Sequence, residues 1–148
     1  MQMNTWFWRG MLLLALPMAS AQAQDISLQQ SRKIISEAME LYGSEKRDAA
    51  IRLLESIHPG DTSYAEAQLL AADMSFDKKD YKKSKMHALQ SLYMPSARRN
   101  AAYNLLALSY HHLGVNDSSD YYSELGLNAF PFDALLAYNR GLALNARG

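Results

Sequence analysis

The chain resembles itself at an interval of 34 residues, and this limits its possible folds more than any other feature. Tyr42, Phe76 and Tyr110 fall in one column at that interval, and Ala38, Ala72 and Leu106 fall in a second. Ala50, Ser84 and Ser118 make a third column of small residues, with Leu54, Ala88 and Tyr122 following less regularly. Gly114 recurs as Gly148, and Pro59, Pro95 and Pro131 stand 36 apart, so the connectors differ slightly in length. A unit this short cannot close a core alone. Its apolar face is covered by the next unit, so such arrays need about three units to be stable.

Within the units, apolar residues recur at three and four positions. Ile34, Ile35, Ala38, Leu41 and Tyr42 do so in the first stretch, and Leu69, Leu70, Ala72 and Phe76 in the third. That is the period of a helix with one buried face, and no alternating run of β-branched residues suggests a strand. Stop and start signals divide the pattern. Gly43-Ser44 ends one helix. Pro59 through Thr62 closes another, with Asp61 or Thr62 as the next cap. Ser96 and Asp117 serve as later caps, and Pro131 suits a first helical turn. The spacing predicts seven helices, near 26–42, 46–58, 63–77, 79–93, 97–113, 118–129 and 132–147.

The first residues have a different purpose. Arg9 is the only charge before Asp25, Met11 to Met18 is apolar, and Ala19-Ser20-Ala21 and Ala21-Gln22-Ala23 offer small-x-small cleavage sites. Residues 1–23 therefore read as a secretory signal cut after Ala23, leaving a helical domain at 24–148. The Ala/Gln/Ser tail of the segment is too polar for a lasting membrane anchor. The style of the signal points to the periplasm or cell envelope of a Gram-negative bacterium.

Charge and composition narrow the classes of function. Lys and Arg total 15 and so do Asp and Glu, which leaves no basic footprint for nucleic acid. There is no cysteine, so disulfides, thiol catalysis and thiolate metal sites are excluded. No Gly-x-Ser-x-Gly elbow, phosphate-cradling glycine loop or His-Glu-x-x-His helix is present, so no catalytic residue, cofactor or metal is expected. His111 and His112 are adjacent and point about 100° apart on a helix, a poor arrangement for chelation. Lys78, Lys79, Lys82, Lys83 and Lys85 enclose Asp80 and adjoin Asp77, as expected of a solvated helix face.

The period, the pairing and the residue types resemble the tetratricopeptide repeat family across essentially all of residues 24–148. The second unit carries Leu70-Ala71-Ala72, Phe76, Asp80-Tyr81 and Pro95, and the third carries Ala102 to Ala107, Tyr110, Gly114 and Pro131. The last helix repeats the phrase with Ala137-Tyr138-Asn139-Arg140-Gly141. Ser84 and Ser118 depart from the family's usual alanine, and Arg47 and Val115 from the aromatic seen at Tyr81. The resemblance implies an all-α solenoid of antiparallel helix pairs, about three repeats plus one terminal helix, whose first helices line a concave groove. It also implies a non-catalytic scaffold that holds a peptide segment or helix of another protein.

Carried over residue by residue, the implied groove displays Tyr42, Phe76, Tyr103, Tyr110 and Tyr138. Asn104 and Asn139 stand where the family often keeps an amide for a peptide backbone. A clamp for a C-terminal carboxylate would need cations where Ile35, Leu69 and Tyr103 stand, so the expected ligand surface is aromatic and neutral. Alternative readings are a sensor module at the start of a longer membrane signalling protein, or an envelope hydrolase using His111 or His112.

The last helix has two apolar faces. Phe132, Leu135, Leu136, Leu142 and Ala143 make one, and Ala134, Ala137, Tyr138, Gly141 and Leu144 the other. One face should dock on the preceding pair. The other looks prepared for a further helix, so either the sequence is a fragment of a longer repeat protein or that face is expected to meet a partner or a second copy.

Overall fold

The computed structural model describes residues 27–96 and 98–148, and the signal predicted at 1–23 lies outside them. All the regular structure among the described residues is helical, as the periodicity requires. The first helix, α1, covers 27–43. It is followed by α2 (Arg47–Glu55), α3 (Tyr64–Asp77), α4 (Tyr81–Ser91), α5 (Arg99–His112), α6 (Asn116–Ala129) and α7 (Ala134–Asn145). From α2 to α7 each helix packs on the next, and α3 meets α5 as α5 meets α7.

α3 belongs to two cores. Ala67, Ala71 and Met74 join Ala38 of α1 and Ala50, Ile51 and Leu54 of α2. Leu69 and Ala72 join Ala88, Ala102, Leu106 and Leu136 on the other side. A helix buried on both flanks must be apolar on both, so α3 alternates Leu and Ala around its circumference. The small side chains allow close approach between helices, and each buried Leu or Ile contributes roughly 1.5–3 kcal/mol.

The helices α1, α3 and α5 end in the same way. Glu45 and Lys79 both have φ 62°, and Gly114 has φ 75°. In each case the next amide reaches back five residues: Lys46 N–H to Leu41 O, Asp80 N–H to Ser75 O and Val115 N–H to Tyr110 O, all at 2.9 Å. The left-handed residue itself donates to the carbonyl three residues back. This is a Schellman turn, which satisfies carbonyls that a helix end leaves without partners.

These turns correct several predicted boundaries. Gly43 stays helical, and Glu45 takes the left-handed turn. Lys79 is a turn residue, and Asp80 caps α4 by accepting from Lys83 N–H. Asp117 lies inside α6. Asp61 accepts from Ser63 N–H at 2.8 Å, in the loop before α3, whose cap is Ser63. Pro131 sits in the turn before α7, which Asp133 caps through Leu135 and Leu136 N–H.

The spacing also changes along the chain. α2 and α4 start 34 residues apart, but α3 and α5, α4 and α6, and α5 and α7 start 35 apart. One extra residue enters between the starts of α4 and α5 and another between those of α6 and α7. The fully buried small residue of α6 is therefore Ser119, and the predicted Ser118 is half-buried. Likewise His111, not Tyr110, takes the place of Phe76 in its helix. Serine can replace alanine in these interiors because its hydroxyl finds an acceptor. Ser75 donates to Ala71 O at 2.7 Å, Ser119 to Ala107 O at 2.8 Å and Ser109 to Ser84 Oγ at 3.0 Å.

Candidate functional site

A cavity of about 500 Å³ opens between α3, α5 and the start of α7. Leu69, Leu70 and Phe76 of α3, Leu105 and Leu108 of α5 and Leu135 supply its apolar wall. Asp73, Asp77, Arg98, Asn100, Asn104 and Asp133 supply its polar groups. Helical geometry explains the set: residues three and four apart share a face, so Leu69, Asp73 and Phe76 align on α3 as Ala101, Asn104 and Leu108 do on α5.

Two of its polar groups are structural. Asp133 Oδ1 accepts from Leu135 N–H and Leu136 N–H at 3.0 Å and from the Asn104 amide at 3.5 Å, and Oδ2 accepts from the Asn100 amide at 2.9 Å. The Asn100 hydrogen bond and the helix amides hold its carboxyl below the usual carboxylate range. Asn104 Oδ1 in turn accepts from Asn139 Nδ2 at 2.9 Å, while Asn139 is only 1% exposed and its own Oδ1 has no partner.

The charges on α3 are less satisfied. Asp77 accepts a hydrogen bond from the Tyr42 hydroxyl, which with burial raises the phenol to about 12. Asp73 has no hydrogen-bond or ion-pair partner among the described residues. Burial raises its carboxyl pKa, the negative charge of Asp77 adds to the effect, and Arg98 opposes it.

Of the residues singled out in the sequence, Phe76 and Asn104 line this cavity, and Tyr42 and Asn139 stand behind groups that do. Tyr103 is buried in the core and receives a hydrogen bond from Arg99 at 3.3 Å. Tyr110 stacks on Tyr122 at 5.4 Å with the Lys85 ammonium over its ring. Tyr138 is 61% exposed on α7. The wall of this cavity differs from the aromatic, neutral surface expected: among the described residues Phe76 is its only aromatic, and three carboxylates and a guanidinium share it. The third unit's one-residue shift accounts for part of the difference, since it turns Tyr110 away from the position that Phe76 occupies. The i, i+4 pair Asp73/Asp77 on a helix so apolar elsewhere was the signal available.

The other candidates have structural roles. Lys78 pairs with Asp48, and Lys82 and Lys83 are exposed. His111 faces Asn116 Oδ1 at 3.1 Å, and His112 stacks on Tyr81 at 4.4 Å. Among the described residues no three His, Cys, Asp or Glu side chains gather where they could hold a metal, and no helix is long and apolar enough to cross a membrane.

α7 docks through Leu136, Asn139 and Ala143, while Ala134, Ala137, Tyr138, Gly141 and Leu144 are exposed, as the two-faced pattern predicted. Phe132 and Leu135 depart from that pattern. Phe132 precedes the helix and is fully exposed, and Leu135 turns to the cavity half-exposed. Compared with models of known protein families the chain matches none, and no curated protein matches it either.

Proposed function

We propose that this chain is an exported, non-catalytic scaffold of the bacterial envelope, built as a tetratricopeptide-like solenoid of about three repeats and a terminal helix. In this reading the cavity holds a peptide segment or helix of another protein. The matching Schellman turns, the buried small residues at 34 or 35 spacing and the mutual packing of α3, α5 and α7 support the repeat architecture. Hydrogen bonds between residues 33 to 35 apart add to it: Ser27 to Asp61, Tyr42 to Asp77, Asn100 to Asp133 and Asn104 to Asn139.

The observation that carries the binding role is the cavity itself, half apolar and edged by polar groups, on the helices that would form the concave side. Peptides selected from a random display library, measured by fluorescence anisotropy, test it. Leu135→Glu places a charge in the cavity mouth at an already half-exposed residue and should abolish binding. Met39→Glu, a similarly exposed change on α1, should leave it intact. Equal binding by both variants refutes the groove. The open face of α7 is a second proposed contact, for a partner helix or another copy of the chain.

A further inference from the structure

Asp73 and Asp77 are one helical turn apart and both face the cavity. Both lie in the last turns of α3, at the negative end of the helix dipole, and that helix has no basic residue in its last turn. Asp77 is offset only by the neutral Tyr42 hydroxyl, and neither carboxylate has an ion-pair partner among the described residues. Asp133 is occupied by four donors and contributes no free acceptor of this kind. Arg98 is the one cation in the wall, against two carboxylates without an ion-pair partner among the described residues. Directly beside them, Leu105, Leu108 and Leu135 form an apolar shelf.

We infer that the Asp73–Asp77 edge receives the lysine or arginine side chain of a bound segment, whose apolar neighbour rests on Leu105, Leu108 and Leu135. This rests on the reading of the cavity as a peptide site. The apolar shelf selects a side-chain cation attached to a chain over a free metal ion, for which two carboxylates without a third ligand are a poor cage. A guanidinium or ammonium at this edge would relieve the repulsion within α3 and complement the acceptor oxygens left free.

The test uses the purified chain and four fluorescent nonapeptides with a common Ala/Leu background and Arg, Lys, Gln or Glu at the centre. The Arg and Lys peptides should bind about tenfold tighter than the Gln peptide, the effect of one charge pair in a partly dry site, and the Glu peptide weakest. The preference should shrink in 0.5 M salt, where the Debye length is only a few Å. Asp73→Asn with Asp77→Asn should bring the Arg peptide to the affinity of the Gln peptide and leave the Gln peptide unchanged. Asp73→Asn alone, at a carboxylate with no hydrogen-bond or ion-pair partner among the described residues, should give a partial loss without disturbing the fold. If Arg and Gln peptides bind equally and both depend on Leu135, the peptide site stands and the cation seat is overturned. If no peptide binds in a Leu135-dependent way, the peptide-site reading falls as well. Calcium binding lost in the double variant, without any Arg preference, overturns the inference in favour of a metal.

Discussion

Left-handed residues close three of the helices, and only one of them is glycine. A residue with a Cβ in that conformation is disfavoured by roughly 1–2 kcal/mol. Glycine removes that cost but gives back roughly 0.5–1 kcal/mol in unfolded-chain entropy. Lys79 is exposed and has no hydrogen-bond or ion-pair partner, so Lys79→Gly changes little except the backbone. The expected outcome is a net gain of about 0.5–1 kcal/mol. Lys79→Ala keeps the φ penalty and should be neutral, which separates backbone from side-chain effects. Gly114→Ala is the converse. A Cβ there meets nothing within 4 Å, so the whole expected loss of about 0.5–1 kcal/mol is conformational. Glu45→Gly should gain less, because it also removes the exposed pair with Arg47 at 3.3 Å. Urea unfolding followed by helical circular dichroism, at unchanged m value, reads these differences. A neutral Gly114→Ala together with a destabilising Lys79→Gly would refute the shared left-handed turn.

Two other glycines should diverge. A Cβ on Gly126 would lie 2.8 and 2.9 Å from the Leu136 methyls and 3.0 Å from Tyr103 Cβ, so overpacking of about 1–3 kcal/mol should outweigh the helix gain of about 1 kcal/mol. Gly141→Ala has open space and should stabilise by about 1 kcal/mol, with unfolding midpoints as the measure. Burial holds the His87 imidazole, which faces Gln68 at 2.8 Å and Glu55 at 3.3 Å, below its ordinary 6.5. The unfolded chain therefore takes up this proton more readily. The stability it contributes is full above about pH 6.5 and is lost as pH falls through the lower folded value, and His87→Gln should flatten that slope between pH 7 and 5. Tyr138→Glu and Leu144→Glu should lower the scattering mass of a concentrated solution of the chain if a second copy covers α7. If the occupant is a partner helix, both changes should abolish its binding and leave the mass unaltered.

All seven helices were readable because apolar residues at three and four spacing leave few alternatives. Their ends were less so. Glycine and proline mark that a helix stops nearby, but the stop itself is set by which carbonyls can be satisfied, so Glu45 turns where Gly43 was expected. An added residue between the starts of α4 and α5, and a second between those of α6 and α7, then moved the later columns, a shift that the 36-residue proline spacing foreshadowed. The same limit affects the site. Phe76 and Asn104 could be placed on the cavity because each was read from the face of its own helix, which the shift between the helices does not alter. Whether Asn104 would turn to a ligand or to Asn139 depends on a partner 35 residues away. Asp73 and Asp77 resembled ordinary surface acids until α5 was set opposite them.

The exposed faces of α1 and α7 differ, and that difference limits what can cover α7. On α1 the outward residues Arg32, Lys33, Glu37 and Glu40 are exposed, with Met39 the one large exposed apolar side chain on that helix. On α7 the outward face is Ala134, Ala137, Tyr138, Gly141 and Leu144, without a charge, while Arg140 and Arg147 are turned aside to Asp117, Asp120 and Glu124. Of these two exposed faces only that of α1 carries charges. Head-to-tail growth would press the uncharged α7 face onto the charged α1 face and desolvate those charges, of which Lys33 and Glu37 pair only with each other, so an open filament is disfavoured. A twofold pairing brings like to like, which a neutral face tolerates and a charged one does not. Complexes formed through α7 should therefore be closed and finite in size, either two copies of the chain or one copy with a single apolar helix.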